Sequence, residues 1–267
     1  MVDAWVASWD KKRKKTLKEE LKQLRTQVEQ RTDLLVLERG MAPPPPDALQ
    51  IRVSGGYVPA FIRSGWMSCS SFDRTLGKID KNLGDFPSIL DFGCGCGRVV
   101  RAIGKLYPGC RLYGTDIDEE AITWLQKNYG HLGAFAVSPH KPPTPFSDNQ
   151  FDLIYGVSVF THLPEDMQFE WLAELARITK PGGYLLLTTH GEKHWGRMRG
   201  EDLEVMRSYG FCYKKTRSTD GLPDFYMNSY HSHDYVRREW SRFFEIVDIE
   251  VLGHNAHQDI VLCRMPQ

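Results

Sequence analysis

Near the start of the chain, apolar side chains recur at steps of four and three. Leu17, Leu21, Leu24, Val28 and Leu35 make the series, with Arg31 in the missing place. This seam predicts a helix over residues 5–38 with a short heptad face. Such a face is marginal alone, so it predicts pairing with a second copy or docking on the body. Gly40 is read as the helix stop, and prolines 43–46 as an extended spacer. Residues 47–82 read as helical and irregular, with Gly55-Gly56 and Gly65 as breaks.

Beyond residue 83 the pattern changes to short apolar runs alternating with helical ones. Strands are predicted at Ser88–Phe92 and at 110–115, 134–137, 151–157 and 184–189. Helices are predicted at 98–106, Glu119–Tyr129 and 166–178. This alternation points to an α/β fold, a Rossmann-like, doubly wound, mostly parallel sheet. Residues 190–230, rich in glycine and aromatics, break the rhythm. A helix at 234–243 and strands at 244–252 and Gln258–Arg264 follow. The last two, joined by a short turn, predict an antiparallel pair at the sheet edge.

Charge changes the picture at one end only. The formal net charge is zero, yet residues 11–25 carry eight basic side chains against Glu19 and Glu20. The cluster Lys11, Lys12, Arg13, Lys14 and Lys15 is read first as a solvated face, and second as a contact for nucleic acid or an anionic membrane. No apolar run is long enough for a membrane span and no secretory signal is visible, so the expectation is a cytoplasmic protein. The six cysteines show no paired zinc spacing and are read as reduced thiols.

Candidate chemistry centres on Asp91-Phe92-Gly93-Cys94-Gly95-Cys96-Gly97-Arg98, directly after a predicted strand and opening a helix. Glycines there permit a tight turn and close approach to a ligand. An acid, Asp116, ends the next strand, where a carboxylate can accept both hydroxyls of a ribose. The glycine spacing differs from a dinucleotide fingerprint, and no Lys-Ser/Thr pair follows to hold a nucleotide triphosphate. A nucleoside-like ligand is implied. Cys94 and Cys96 are read as small residues of a crowded turn, with no metal assigned.

Residues 91–97 resemble the first motif of class I S-adenosylmethionine-dependent methyltransferases, and Thr115-Asp116-Ile117-Asp118 resembles the second, acidic one. Phe151-Asp152-Leu153-Ile154-Tyr155, Val159-Phe160-Thr161-His162-Leu163 and Lys180-Pro181-Gly182-Gly183-Tyr184-Leu185 resemble the later motifs, in the same order. The resemblance covers roughly residues 83–190 and implies S-adenosyl-L-methionine as cofactor. It implies that Asp91, Gly93, Cys94 and Gly95 line the methionine and ribose side. Asp116 would hold the ribose and Ile117 the adenine face. Val137 and Ser138 would meet the adenine edge, where many members carry an acid or Asn. Ser158 and Phe160 would border the methyl group. Tyr57 and Arg63 are placed as an upstream cap.

His162, at the strand exit, is read as a structural hydrogen bond at the helix start or, since an imidazole titrates in the useful range, as the first candidate for a general base. His231 and His233 are the alternatives. His231-x-His233 could present two imidazoles on one face of an extended segment, and the histidines at 190, 194, 254 and 257 are also available to a metal, but no metal is assigned. The tail from Tyr230 to Asp259 is similar to that of bacterial methyltransferases associated with surface-glycan assembly, which implies O-methylation of a sugar, a glycan or a small hydroxylated acceptor. Two other readings stay open: an RNA or protein methyltransferase docking through the basic arm, and a non-catalytic scaffold. The expected domains are a basic helical, coiled-coil-like arm at 1–42, a linker and cofactor-capping segment at 43–82, and a methyltransferase domain at 83–267. That domain is expected to carry a lid insertion at about 190–233.

Overall fold

The computed structural model describes residues 38–54, 58–196, 198–214 and 223–267. The predicted arm helix, its seam and the basic cluster at 11–15 lie outside the described residues, as does Tyr57. Contacts divide the chain into Met1–Pro43 and Pro44–Gln267. In the first unit the described residues form a turn closed by Met41 N–H donating to the Glu38 carbonyl at 3.1 Å. Gly40 has φ +77°, a conformation that glycine adopts at no steric cost.

The second unit opens with α1 (Asp47–Ser54) and α2 (Val58–Leu76). Helix α2 buries Phe61, Trp66, Cys69, Phe72 and Leu76 along one face. Gly65, predicted as a break, lies inside this helix. A side chain there would run into the Arg98 carbonyl, so the glycine allows close packing on the loop after the first strand.

Strands β1 (Ser88–Phe92), β2 (Arg111–Asp116), β3 (Gly133–Val137), β4 (Phe151–Gly156) and β5 (Thr179–Thr189) are parallel. They alternate with α3 (Val100–Leu106), α4 (Glu119–Tyr129) and α5 (Glu165–Ile178). After β5 come α6 (Glu192–Trp195), α7 (Glu201–Ser208), β6 (Phe211–Lys214), β7 (Asn228–His231) and α8 (His233–Trp240). Strands β8 (Glu245–His254) and β9 (Gln258–Arg264) complete the chain. The large sheet has the order β3-β2-β1-β4-β5-β9-β8, and β9 runs antiparallel to both its neighbours.

Every residue of β1 is buried, as a central parallel strand covered on both faces requires. On one face, Leu90, Phe92, Ile154, Leu185 and Leu187 pack with Trp171, Leu172 and Leu175 of α5 and with Val236 and Trp240 of α8. On the other, the rings of Tyr155 and α2's Phe72 are 5.1 Å apart. Helix α2 is pinned to β8 by Arg74 donating to Glu250 at 2.7 Å and Lys78 to Asp248 at 2.6 Å. Residues 211–214 and 228–231 form a separate antiparallel pair, β6–β7.

Strand order reverses between β1, followed by β2 on one side, and β4 on the other. A crevice forms at such a switch point, outside the carboxyl ends of the strands. The glycine loop, Asp116 and Ser158 all leave the sheet there. Among the described residues, no helix is long and apolar enough to cross a membrane.

Candidate functional site

The crevice is a cleft of roughly 1130 Å³, counting its open mouth. That is ample for a nucleoside-sized ligand. Its floor is the turn after β1. Gly93 and Cys94 donate their N–H groups to the Thr115 carbonyl at 2.8 and 3.0 Å, which anchors the turn to β2. Gly93, Gly95 and Gly97 have φ of +80°, +51° and +84°, so the loop depends on glycine at these positions. A Cβ on Gly97 would lie 2.5 Å from Leu125 of α4, which ties the third glycine to helix packing.

Asp116 bridges the loop and the next helix. One carboxylate oxygen accepts the Gly95 N–H at 2.7 Å, the other the Asp118 N–H at 2.9 Å. Burial pushes its pKa up, and these backbone donors partly offset the shift. A carboxylate has about four acceptor sites, so lone pairs remain for ligand hydroxyls.

At the other side of the loop, buried Asp91 accepts the Tyr155 hydroxyl at 2.8 Å. Burial raises its pKa to about 7, against the Tyr155 bond and the charge of Arg98. Arg98 is half-buried, and desolvation lowers its pKa while Asp91 opposes the fall. Its Nε is buried and has no hydrogen-bond partner. A coupled carboxyl and guanidinium facing one cleft complement the ammonium and carboxylate of a free amino acid. With Asp116 for a ribose, the set matches S-adenosylmethionine, which joins an amino acid to a nucleoside.

The far wall is aromatic and apolar. Val157, Val159, Leu163 and Trp171 line it, with Phe225 and Tyr226 from the segment preceding β7. The Tyr226 ring stacks on His162 with centroids 4.2 Å apart. Burial raises the Tyr226 pKa, so its hydroxyl stays protonated. Ser158 sits at φ +61°, uncommon for a non-glycine residue, with its N–H donating to Thr188 Oγ1 at 2.8 Å. Its hydroxyl is 2.9 Å from Gln258 Nε2.

Asp91, Gly93, Cys94, Gly95, Asp116, Ile117, Ser138 and Ser158, all expected from the sequence, line this cleft together. Several others do not. Phe160 packs inward on Phe92 and Trp240. The side chain of Val137 is on the exposed side of β3. Arg63 is on the exposed side of α2 and outside the lining. Arg52 of α1 reaches the cleft instead, paired with Asp118 at 2.7 Å and with Glu120.

The candidate bases also move. His231 is fully buried between Phe211, Tyr235 and Trp240, and its Nε2–H donates to Gln168 Oε1 at 2.9 Å. Burial lowers its pKa to about 3, and it serves the core. His233 Nε2 donates to buried Asp259 at 2.8 Å, outside the cleft lining. His162 donates through Nδ1–H to the Met227 carbonyl at 2.6 Å and stands behind Tyr226 rather than on the cleft surface. Sequence reasoning did not assign Arg98 to the site, although it adjoins the glycine motif and is legible as a cation entering a helix; Phe225 and Tyr226 were legible only as members of the aromatic set in the lid segment.

Residues 90–187 match a family model described as a methyltransferase domain. The fold is that of S-adenosylmethionine-dependent methyltransferases. The chain is similar to an uncharacterized protein of Haemophilus influenzae, 30% identical over 123 residues, which are 45% of this chain and 48% of that one. It is also similar to a tRNA N(3)-cytidine methyltransferase of Gallus gallus, 30% identical over 46% of this chain and 37% of the relative. A fatty-acid O-methyltransferase of Mycolicibacterium smegmatis is 28% identical over 38% and 36%. The chain thus spans under half the length of these relatives. Among solved structures, a Burkholderia thailandensis 1,6-didemethyltoxoflavin-N1-methyltransferase with bound S-adenosylhomocysteine superposes with a TM-score of 0.56, at 16% identity, over 83% of this chain and 86% of that one. Human N-acetylserotonin methyltransferase in complex with S-adenosylmethionine gives 0.52 at 18% identity, over 76% and 52%.

Proposed function

We propose that this protein transfers the methyl group of S-adenosylmethionine to an oxygen of a small hydroxylated acceptor, with a sugar or glycan as the favoured class. The observation that carries the reading is the cleft: Asp91, Arg98 and Asp116 on one side and an aromatic wall of Trp171, Phe225 and Tyr226 on the other. Aromatic faces beside a few polar groups suit a small amphipathic ring better than an extended polymer.

In this reading Asp91 and Arg98 hold the amino-acid end of the cofactor, Asp116 the ribose, and Ile117 and Ser138 flank the adenine. The bound cofactor supplies an electrophilic methyl on a sulfonium. The chain's own contribution is to fix the acceptor in line and exclude water, an effect of proximity and orientation. Tyr226 presents its ring face to the acceptor, His162 braces that ring, and the hydroxyl donates to the Ser158 carbonyl. The segment at 190–233 acts as the lid, because it delivers Phe225 and Tyr226.

The test is transfer from methyl-labelled cofactor by the full chain to nucleotide sugars, glycosides, phenols and RNA, each offered separately. Label in a hydroxylated small molecule supports the reading. Label in RNA alone, lost on deleting residues 1–40, supports the second reading, which the tRNA-modifying relative and the basic cluster at 11–15 favour.

A further inference from the structure

Three histidines, two from the segment after β5 and one from the β8–β9 turn, meet beside the cleft, and the methyl-transfer reading uses none of them. His190 follows β5, His194 lies in α6, and His257 is in the turn between β8 and β9. One ring nitrogen from each lies within 4.8 Å of the other two. The ring centroids of His190 and His194 are 4.5 Å apart, and those of His194 and His257 are 4.8 Å apart.

We propose that His190, His194 and His257 form a binding site for a divalent transition-metal ion, Zn²⁺ first. The hydrogen bonds prepare the ligands. His194 Nε2–H donates to the His257 backbone carbonyl at 2.5 Å, which leaves Nδ1 as the unprotonated nitrogen. Metal-binding imidazoles are commonly oriented by such a bond from the other ring nitrogen. His190 is nine-tenths buried, and its Nδ1 has no hydrogen-bond partner. A buried polar atom without a partner is costly, and coordination removes that cost.

Zinc–nitrogen bonds are about 2.0–2.1 Å. Binding would draw the three nitrogens, which lie within 4.8 Å of one another, to that distance from one ion. Three imidazoles leave a fourth position open to water. They suit zinc and its borderline neighbours better than magnesium or calcium, which take oxygen ligands. Gln258 Nε2 lies 3.4 Å from His190 Nε2 and 2.9 Å from Ser158 Oγ, so one side chain separates the site from the cleft wall.

The test uses the untagged full chain, stripped with a chelator and titrated with Zn²⁺ against a chromophoric competitor, and with Co²⁺ followed by visible absorption. The expected result is one equivalent of Zn²⁺ and an intense tetrahedral Co²⁺ spectrum. His194→Ala and His257→Ala, both outside the core, should each weaken Zn²⁺ by about 100-fold or more, since losing even an outer partner of a ligand costs 10–100-fold. His131→Ala, an exposed histidine outside the cluster, should bind as wild type. Binding well below one equivalent, or wild-type affinity in both variants, would overturn the proposal. Cofactor binding, measured on the same samples, reads out the methyltransferase assignment separately.

Discussion

The Asp116 carboxylate holds the Gly95 amide at 2.7 Å, so the acid on β2 and the loop after β1 are one mechanical unit. Asp116 therefore does two jobs, offering acceptors to a ribose and fixing the turn that makes room for it. Asp116→Ala should weaken S-adenosylmethionine binding by about 1.5–3 kcal/mol, the range for hydrogen bonds to a charged group. Asp116→Asn keeps one acceptor oxygen and should lose less. Calorimetric titration of both variants checks the order, and equal affinities across the three proteins would show that the ribose does not sit there.

Asp91 makes the domain sensitive to pH. Its folded pKa of about 7 lies above the usual carboxylate value, so the folded state binds the proton more tightly than the unfolded chain does. The stability this contributes is complete below the unfolded pKa and is lost as pH rises to about 7. Asp91→Asn should remove this decline, as read from denaturant midpoints between about pH 5 and 8. An ammonium placed beside Asp91 favours its ionised form. Cofactor binding near neutral pH should thus release protons, visible as a buffer-dependent heat.

Tyr226 separates acceptor handling from cofactor binding. Tyr226→Ala removes part of the acceptor wall and the ring that His162 braces, so turnover should fall by about 10²-fold, the scale of a small misplacement. Tyr226→Phe keeps the stack and should retain most activity. A full-rate Tyr226→Ala variant would move the acceptor elsewhere.

His231 predicts a stability effect. Its ring is fully buried, and truncation would leave Gln168 Oε1 without that donor. His231→Ala should cost about 2–4 kcal/mol, combining a cavity with an unsatisfied acceptor. Thermal denaturation measures it. A well-folded but inactive variant would restore a catalytic role.

Gly65→Ala should destabilise the domain by about 1–3 kcal/mol, because the added methyl meets the Arg98 backbone and not a side chain that can move. Its effect on cofactor affinity should exceed that of an exposed change such as Met67→Ala on the same helix.

The sequence was most legible where periodicity and turn chemistry agreed. Ser88–Phe92, Glu119–Tyr129 and Gln258–Arg264 were read with their observed bounds. The glycine loop and Asp116 also stood out, because backbone turns demand particular residues at fixed offsets. Gly65 misled because glycine signals both a break and a close approach, and only the neighbouring chain decides between them. Val137 was placed by distance from a motif, but which way a strand side chain faces alternates residue by residue; Phe160 lies in the turn past β4, where its ring packs on Phe92 and Trp240. Tyr226 and Arg52 come from segments far from the motif, so only tertiary packing brings them to the cleft. The three histidines were visible one by one, but their meeting depends on the β8–β9 turn reaching α6.

The central claim is that Asp91, Arg98 and Asp116 grip one adenosyl amino acid. Isothermal titration of the full chain with S-adenosylmethionine tests it most directly. The predicted result is one saturable site that weakens in Asp116→Ala and in Arg98→Ala while folding is preserved. The absence of both heat and a thermal shift at millimolar cofactor would contradict it and leave a scaffold with a methyltransferase fold.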